Sequence, residues 1–169
     1  MAPEVVDSAS WRRIALDPPR AWGEPPASGT IRAESADFVV EERLGFEPDG
    51  GGAHFLLRVE KQDANTLHVA RELAASVGRP TAEIGFAGMK DRRAIARQWF
   101  SVPFVKGKEP AAGTAGNGYR VLAAHPHSRK LRRGALAGNH FQLRVRDISG
   151  DSAALAIRLA LVGAQGFPN

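Results

Sequence analysis

The chain contains no cysteine and no long run of apolar residues. The lack of cysteine excludes disulfides and thiolate metal sites, and it is compatible with a reducing cytoplasm. Residues 1–17 carry acids and no long apolar segment, so we expect neither a secretory signal nor a membrane span. The spacing of His54, His125 and His127 is not typical of a metal site. We also find no internal repeat and no phosphate-binding glycine motif.

Acidic residues are scarce in the second half of the sequence. Residues 1–87 hold nine Lys or Arg and fourteen Asp or Glu, whereas residues 88–169 hold fourteen and four, so the net charges are −5 and +10. Between positions 110 and 146 there is no acid, and the basic residues there are Arg120, Arg129, Lys130, Arg132, Arg133, Arg144 and Arg146. Such a stretch attracts a polyanion, most commonly nucleic acid. The alternative is a solvated basic face that aids solubility, and the concentration of charge on one half argues against it.

One carboxylate, Asp91, stands alone between Glu83 and Glu109. Its neighbours in sequence are cations that favour the ionised form of an acid, and these are Lys90, Arg92, Arg93 and Arg97. The ionised form is the one that a nucleophile or a general base requires. Small residues before the acid permit a tight turn, and β-like segments on both sides would hold a rigid loop, where catalytic residues are often found. The alternative is a surface ion pair that contributes little to stability.

The sequence pattern predicts an α+β fold with a mixed or antiparallel sheet and packed helices. Residues 1–27 are rich in proline and polar groups, which indicates an irregular arm. We predict strands at 29–32, 38–44, 53–61, 94–102, 119–124 and 140–147. Helical spacing predicts helices at 66–77, with Asn65 as N-cap and Gly78 as the stop, and at 152–164.

Two of these strands have informative alternation. In the strand at 53–61, period two places Phe55, Leu57 and Val59 on one face and His54, Leu56, Arg58 and Glu60 on the other. In the strand at 140–147, Phe141, Leu143 and Val145 share one face. Both patterns are typical of half-buried strands.

Five motifs, taken together, resemble the tRNA pseudouridine synthase D family, usually written TruD. In chain order they are residues 36–42, 44–50, 65–66, 86–91 and 130–141. Each could arise by chance, but five in family order could not. The resemblance implies that residues 28–169 form the N-terminal part of a pseudouridine-synthase-like catalytic domain. It also implies that a C-terminal part and an inserted domain are absent, because members of the family are roughly twice as long.

The resemblance implies an isomerase that converts a uridine of tRNA to pseudouridine, usually at position thirteen in the D arm. The reaction detaches uracil from C1′ of the ribose, turns it and rejoins it through C5, with no metal, cofactor or net redox change. The expected partner is tRNA and the expected location is the cytoplasm. In this family the Asp of the Gly-x-Lys-Asp motif is the catalytic carboxylate, and here that residue is Asp91.

The resemblance also suggests roles for residues around Asp91. Arg32 matches the family's basic partner of the acid and could hold both carboxylate oxygens in a fork, although without the resemblance an ordinary exposed strand-end arginine would be the favoured interpretation. Asn139 and Phe141 match an Asn-x-Phe motif. Phe141 would stack on a flipped-out uracil and Asn139 would hydrogen-bond to the acid or to the base, although the strand pattern alone makes Phe141 a core residue. The expected phosphate contacts are Lys90, Arg92, Arg93, Arg129, Lys130, Arg132 and Arg133.

Two other interpretations of the chain stay open from the sequence. The first is a catalytically inert RNA-binding fragment that keeps the basic face. The second is an unstable remnant without function, which would show no cooperative melting transition.

Overall fold

The computed structural model describes residue 16 and residues 20–166. Most of the irregular arm predicted for residues 1–27 therefore lies outside the described residues. The described residues divide into two compact units, a larger one over residues 30–146 and a smaller one that includes residues 20–29 and 147–166.

The larger unit is organised around a seven-stranded sheet. Its strands are β2 (Phe38–Leu44), β3 (His54–Gln62), β4 (Gly85–Phe86), β5 (Ile95–Pro103), β6 (Ala115–Gly116), β7 (Tyr119–His127) and β8 (Leu136–Leu143). Their spatial order is β6-β7-β3-β5-β2-β8, and β4 also pairs with β5. Strands β2 and β5 run parallel, and the other neighbouring pairs in this sheet are antiparallel. Helix α1 (Thr66–Val77) follows β3. The α+β class and the mixed sheet are thus confirmed.

Helix α1 packs on one face of this sheet and forms the main core with it. Its buried residues include Val69 and Leu73, which meet Leu57 of β3 and Phe100 of β5. The helix has the predicted bounds, and Gly78 ends it in the left-handed conformation at φ 68°, which glycine adopts without steric cost. Asn65 stands at the N-cap position, but its side chain makes no capping hydrogen bond.

Two strand predictions need correction. Leu56, assigned by alternation to the polar face of β3, is fully buried, because Leu131 and Ala87 cover it on that face. The single strand predicted at 140–147 is two strands, β8 and β9 (Val145–Gly150), which are interrupted at Arg144. The Arg144 amide donates instead to the carbonyl of Asp37 at 2.8 Å.

The smaller unit contains most of β1 (Ala27–Ile31) and of β9, which pair with each other, and helix α2 (Ser152–Gln165). The Asp151 side chain caps this helix by accepting hydrogen bonds from the amides of Ala153 and Ala154 at 2.9 and 3.0 Å. Within the described ranges, no helix combines the length and the apolar character needed to cross a membrane.

Candidate active site

Asp91 lies in the connection between β4 and β5, residues 87–94, which we call the Asp91 loop. The loop sits at the end of the sheet where β3 finishes and β5 begins, since Gln62 pairs with Ile95. The side chain of Asp91 is 54% exposed. The sequence prediction of a charged tip held between two strands is therefore what the structure shows.

Two buried polar side chains hold the backbone of the Asp91 loop from beneath. Thr66, at the start of α1, accepts a hydrogen bond from the Lys90 amide at 3.1 Å and donates to Oε1 of Gln98 at 2.9 Å. The Gln98 side-chain amide in turn donates to the carbonyl of Gly88 at 3.4 Å. Thr66 and Gln98 are both fully buried, where hydrogen bonds of this kind are costly to leave unmade.

A buried ion pair fixes the residue before Asp91. The ammonium of Lys90 contacts the carboxylate of Glu42, and the side chains are 7% and 0% exposed. The other oxygen of Glu42 accepts a hydrogen bond from the backbone amide of Trp99 at 3.1 Å. Lys90, which the sequence assigned to phosphate binding, thus has its charge enclosed within the fold, and we remove it from the expected phosphate contacts.

Lys61 holds the backbone of Asp91 itself. Its ammonium donates to the carbonyl of Asp91 at 2.7 Å and to the carbonyl of Ala64 at 2.8 Å, and the residue is fully buried. Burial lowers the pKa of Lys61 from 10.5 to about 8, an effect that the charges of Asp91 and Asp63 oppose and that of Lys90 reinforces. The Asp91 loop is therefore anchored at Gly88, Lys90 and Asp91.

On the exposed side, the carboxylate of Asp91 meets Arg32. Nη2 of Arg32 donates to Oδ2 of Asp91 at 2.9 Å. Among the described residues, this is the single hydrogen bond between the side chains of Arg32 and Asp91, whereas the sequence predicted a two-bond fork. Arg32 is also in the left-handed region at φ 58°, an unfavourable conformation for a side chain with a Cβ that persists only where the surroundings enforce it.

Two aromatic rings continue from Arg32 toward β8. The guanidinium carbon of Arg32 lies 4.0 Å from the centroid of the Phe38 ring. Phe38 contacts Phe141 edge to face, with centroids 5.9 Å apart. Phe141 is 53% exposed, so it is not the core residue that its strand pattern suggested. The ring presents an accessible aromatic surface that is linked to the acid through Phe38 and Arg32.

Asn139 occupies the same face of β8 as Phe141, because the two are separated by one residue in a strand. It pairs across the sheet with Glu42, the residue that holds Lys90. The contacts above thus connect Asp91, Arg32 and Phe141, and the strand pairing places Asn139 beside Glu42.

The predicted phosphate contacts divide between two loops. Arg92 and Arg93 are exposed on the Asp91 loop, and Nε of Arg92 donates to the carbonyl of Asp63 at 3.1 Å. Exposed cations also occupy the connection between β7 and β8, residues 128–135, which we call the basic loop, and these are Arg129, Lys130, Arg132 and Arg133. The basic loop is seated by Leu131, whose amide donates to Oγ of Ser101 at 2.8 Å. Gly85 permits this approach, because a Cβ there would lie 2.3 Å from the Leu131 carbonyl oxygen.

Sequence reasoning missed Lys61, Glu42, Thr66 and Gln98. The alternation did carry a signal for three of them. Lys61 continues the apolar face of Phe55, Leu57 and Val59, and Glu42 continues that of Phe38 and Val40, so both charged residues stand where a strand is buried. Gln98 likewise continues the buried face of Ala96 and Phe100 in β5. The pattern could not supply the partners of these side chains, because the partners are distant in sequence. Across residue 16 and residues 20–166, no group of three or more potential metal-ligating side chains is present.

Comparison with known proteins identifies the family of the chain. The family model of tRNA pseudouridine synthase D (TruD) matches residues 19–169. The chain belongs to the tRNA pseudouridine synthase D family. Among curated TruD proteins, that of Methylococcus capsulatus is 43% identical over 154 residues, covering 90% of this chain and 44% of the relative. That of Cellvibrio japonicus is 44% identical over 161 residues, covering 92% and 48%.

The fold also matches a solved TruD structure. A crystal structure from Methanosarcina mazei, described as a tRNA pseudouridine synthase D, superposes with a TM-score of 0.69 at 27% identity and covers 82% of this chain and 32% of that one. The chain thus spans a little under half the length of the curated TruD relatives it matches.

Proposed function

We propose that this chain carries the catalytic aspartate of a tRNA pseudouridine synthase that acts on position thirteen in the D arm. The observation that supports this most directly is the continuous contact from Asp91 through Arg32 and Phe38 to Phe141. It combines an acid, its cationic partner and an exposed aromatic surface. A uridine that leaves its RNA stack needs such a surface, because base stacking on an aromatic ring is worth roughly 1–3 kcal/mol.

In the proposed reaction, the bond between N1 and C1′ breaks and a bond between C5 and C1′ forms. The proton on C5 is lost and N1 regains one, so no electrons are exchanged with a cofactor. The Asp91 carboxylate either attacks C1′ or removes the C2′ proton, and both routes require its ionised form within reach of the ribose. Arg32 orients the carboxylate, Phe141 stacks on the uracil and Asn139 hydrogen-bonds to the acid or to the base edge.

The test is tritium release from unmodified tRNA labelled at C5 of uridine. We expect release by the chain and none above background by Asp91→Asn, which preserves the size of the side chain and removes its charge. Glu109→Gln makes the same charge change at an exposed acid in another loop and should leave the rate unchanged. Equal rates for the wild type and Asp91→Asn would refute the role of Asp91.

A second candidate function is RNA binding without catalysis. It is favoured by the exposed cations of the basic loop, which would contact phosphates whether or not catalysis follows. Binding of tRNA that weakens steeply with salt, together with no tritium release, would support this alternative, because phosphate contacts are salt-sensitive.

A further inference from the structure

A pocket separate from Asp91, Arg32 and Phe141 opens beside the root of the Asp91 loop. Its volume is about 620 Å³, which is within the range of small-ligand pockets. Phe86, the last residue before the Asp91 loop, lines it, and so does Leu67, the neighbour of the Thr66 side chain that binds the Lys90 amide. The pocket therefore adjoins the Asp91 loop at two points, the end of β4 and the start of α1.

The pocket has an apolar interior and a cationic border. Ile84 and Phe86 are buried at 4% and 8% exposure, whereas Lys130, Arg132 and Arg133 are exposed. None of the described residues that line the pocket is acidic. Lys130 is held in place by donating to the carbonyl of Ala82 at 2.5 Å. An apolar interior with three cations and no acid suits a ligand that has a flat apolar part and a negative charge.

Arg133 offers a stacking surface in this pocket. Its guanidinium carbon lies 4.1 Å from the centroid of the Phe86 ring, so the ring supports one face of the guanidinium while the residue remains exposed. The second face of a supported guanidinium plane is a known platform for an unpaired nucleobase. A base stacked there would place its own phosphates close to Lys130 and Arg132.

We propose that this pocket binds an unpaired nucleotide of the RNA substrate, distinct from the uridine at Asp91. The base stacks on the guanidinium of Arg133, and the phosphates on either side are held by Lys130 and Arg132. This inference rests on the proposed function only in taking RNA as the ligand. Because the pocket adjoins the root of the Asp91 loop, the bound nucleotide would fix the RNA next to the acid.

The first experiment separates stacking from charge. The dissociation constant of fluorescently labelled hexauridylate is measured by anisotropy for Arg133→Lys and for Arg129→Lys. Both variants keep the charge, and Arg129 lies on the same basic loop but does not line this pocket. We expect about tenfold weaker binding for Arg133→Lys, the size of one lost stacking contact, and a change within about twofold for Arg129→Lys. Equal effects of the two substitutions would overturn the proposal.

The second experiment places an acid in the pocket. Leu67→Glu should weaken hexauridylate binding by about tenfold, because the carboxylate would repel the phosphates. Ala75→Glu makes the same charge change on the same helix outside the pocket, and it should have about a twofold effect. Leu67 and Ala75 are both exposed on α1, so both variants should fold, which circular dichroism would verify. If Ala75→Glu weakened binding as much as Leu67→Glu, the pocket would not be the site.

A blunt-ended RNA duplex, in which every base is paired, serves as the third probe. It should bind Arg133→Lys and the wild type equally, because a paired base cannot stack on Arg133. An equal loss for the duplex and hexauridylate would show that the pocket binds phosphates only. Glu109→Gln, the control of the tritium assay, should bind hexauridylate as the wild type does. Failure of the isomerase proposal would therefore appear in tritium release, and failure of this one would appear in RNA affinity.

Discussion

The Asp91 loop and the basic loop lie close together in the larger unit but are held in different ways. Buried side chains bind the Asp91 loop at several backbone positions, and its one acid projects outward. The basic loop is held by hydrogen bonds at Ser128, Leu131 and Gly134, and it presents four exposed cations. The Asp91 loop thus fixes the position of the carboxylate, while the basic loop supplies positive charge. Substitutions beneath the first should change stability, and substitutions on the second should change salt-dependent affinity.

The largest effect is expected from removing the carboxylate beneath the Asp91 loop. Glu42→Ala leaves the Lys90 ammonium buried without its partner, which should lower the free energy of unfolding by about 3–5 kcal/mol. The control is Glu41→Ala, the adjacent residue on the opposite face, whose half-exposed carboxylate pairs with Arg58 and Arg97. It should cost about 0–1 kcal/mol. Urea unfolding measures both, and equal losses would contradict the assignment of Glu42 as the buried anchor.

A smaller loss of stability is expected from removing the Thr66 hydroxyl, which joins α1 to the Asp91 loop. Thr66→Val keeps the shape of the side chain but removes two buried hydrogen bonds, which should lower the free energy of unfolding by about 1–3 kcal/mol. Thr66→Ser keeps the hydroxyl and should retain most of that stability. The Lys90 amide donates a hydrogen bond to the Thr66 hydroxyl. Hydrogen exchange at this amide should therefore accelerate in Thr66→Val but not in Thr66→Ser. An unchanged exchange rate would mean that Thr66 does not hold the loop.

The buried lysine predicts a pH-dependent difference. Its pKa is about 8 in the folded chain and near 10.5 when unfolded, so above pH 8 the folded state releases a proton that the unfolded state retains until about pH 10.5. The wild type should therefore gain stability relative to Lys61→Met as the pH rises from 8 to 10.5, and the difference should level off below pH 8. Unfolding measured from pH 7 to pH 10 checks this. A difference independent of pH would contradict it.

The smallest effect belongs to the basic loop. Arg129→Ala should weaken tRNA binding modestly and lower the slope of log affinity against log salt concentration by about 1, the value for one lost phosphate contact. The free energy of unfolding should stay within about 0.5 kcal/mol of the wild type, because the side chain is exposed. Thr66→Val should show the reverse pattern, with an unchanged salt slope. If both variants changed the slope equally, the proposed division between the two loops would fail.

Local patterns predicted those elements of the fold that local chemistry determines. Strand β2 and helix α1 have the predicted bounds, because alternation and the glycine stop act within a few residues. The division at Arg144 could not be predicted in this way, since it depends on a hydrogen bond to Asp37, more than a hundred positions earlier.

The candidate site shows the same limit. Asp91 could be singled out because its charge contrasts with its immediate neighbours. The burial of Lys90 could not, since it depends on Glu42, which the sheet brings beneath the loop from 48 positions away. The cations flanking Asp91 in sequence likewise turn to other partners: Arg92 to a backbone carbonyl, and Arg97 to Glu60 at 2.9 Å. Arg32, 59 positions earlier, is the residue that meets the carboxylate.

The hydrogen bond from the Gly134 amide to the carbonyl of Ala87, at 2.8 Å, joins the basic loop directly to the root of the Asp91 loop. This bond sets the distance between the two backbone segments at that point. A displacement of one segment would therefore be transmitted to the other. An RNA phosphate bound by the basic loop would be held at a defined distance from the root of the Asp91 loop.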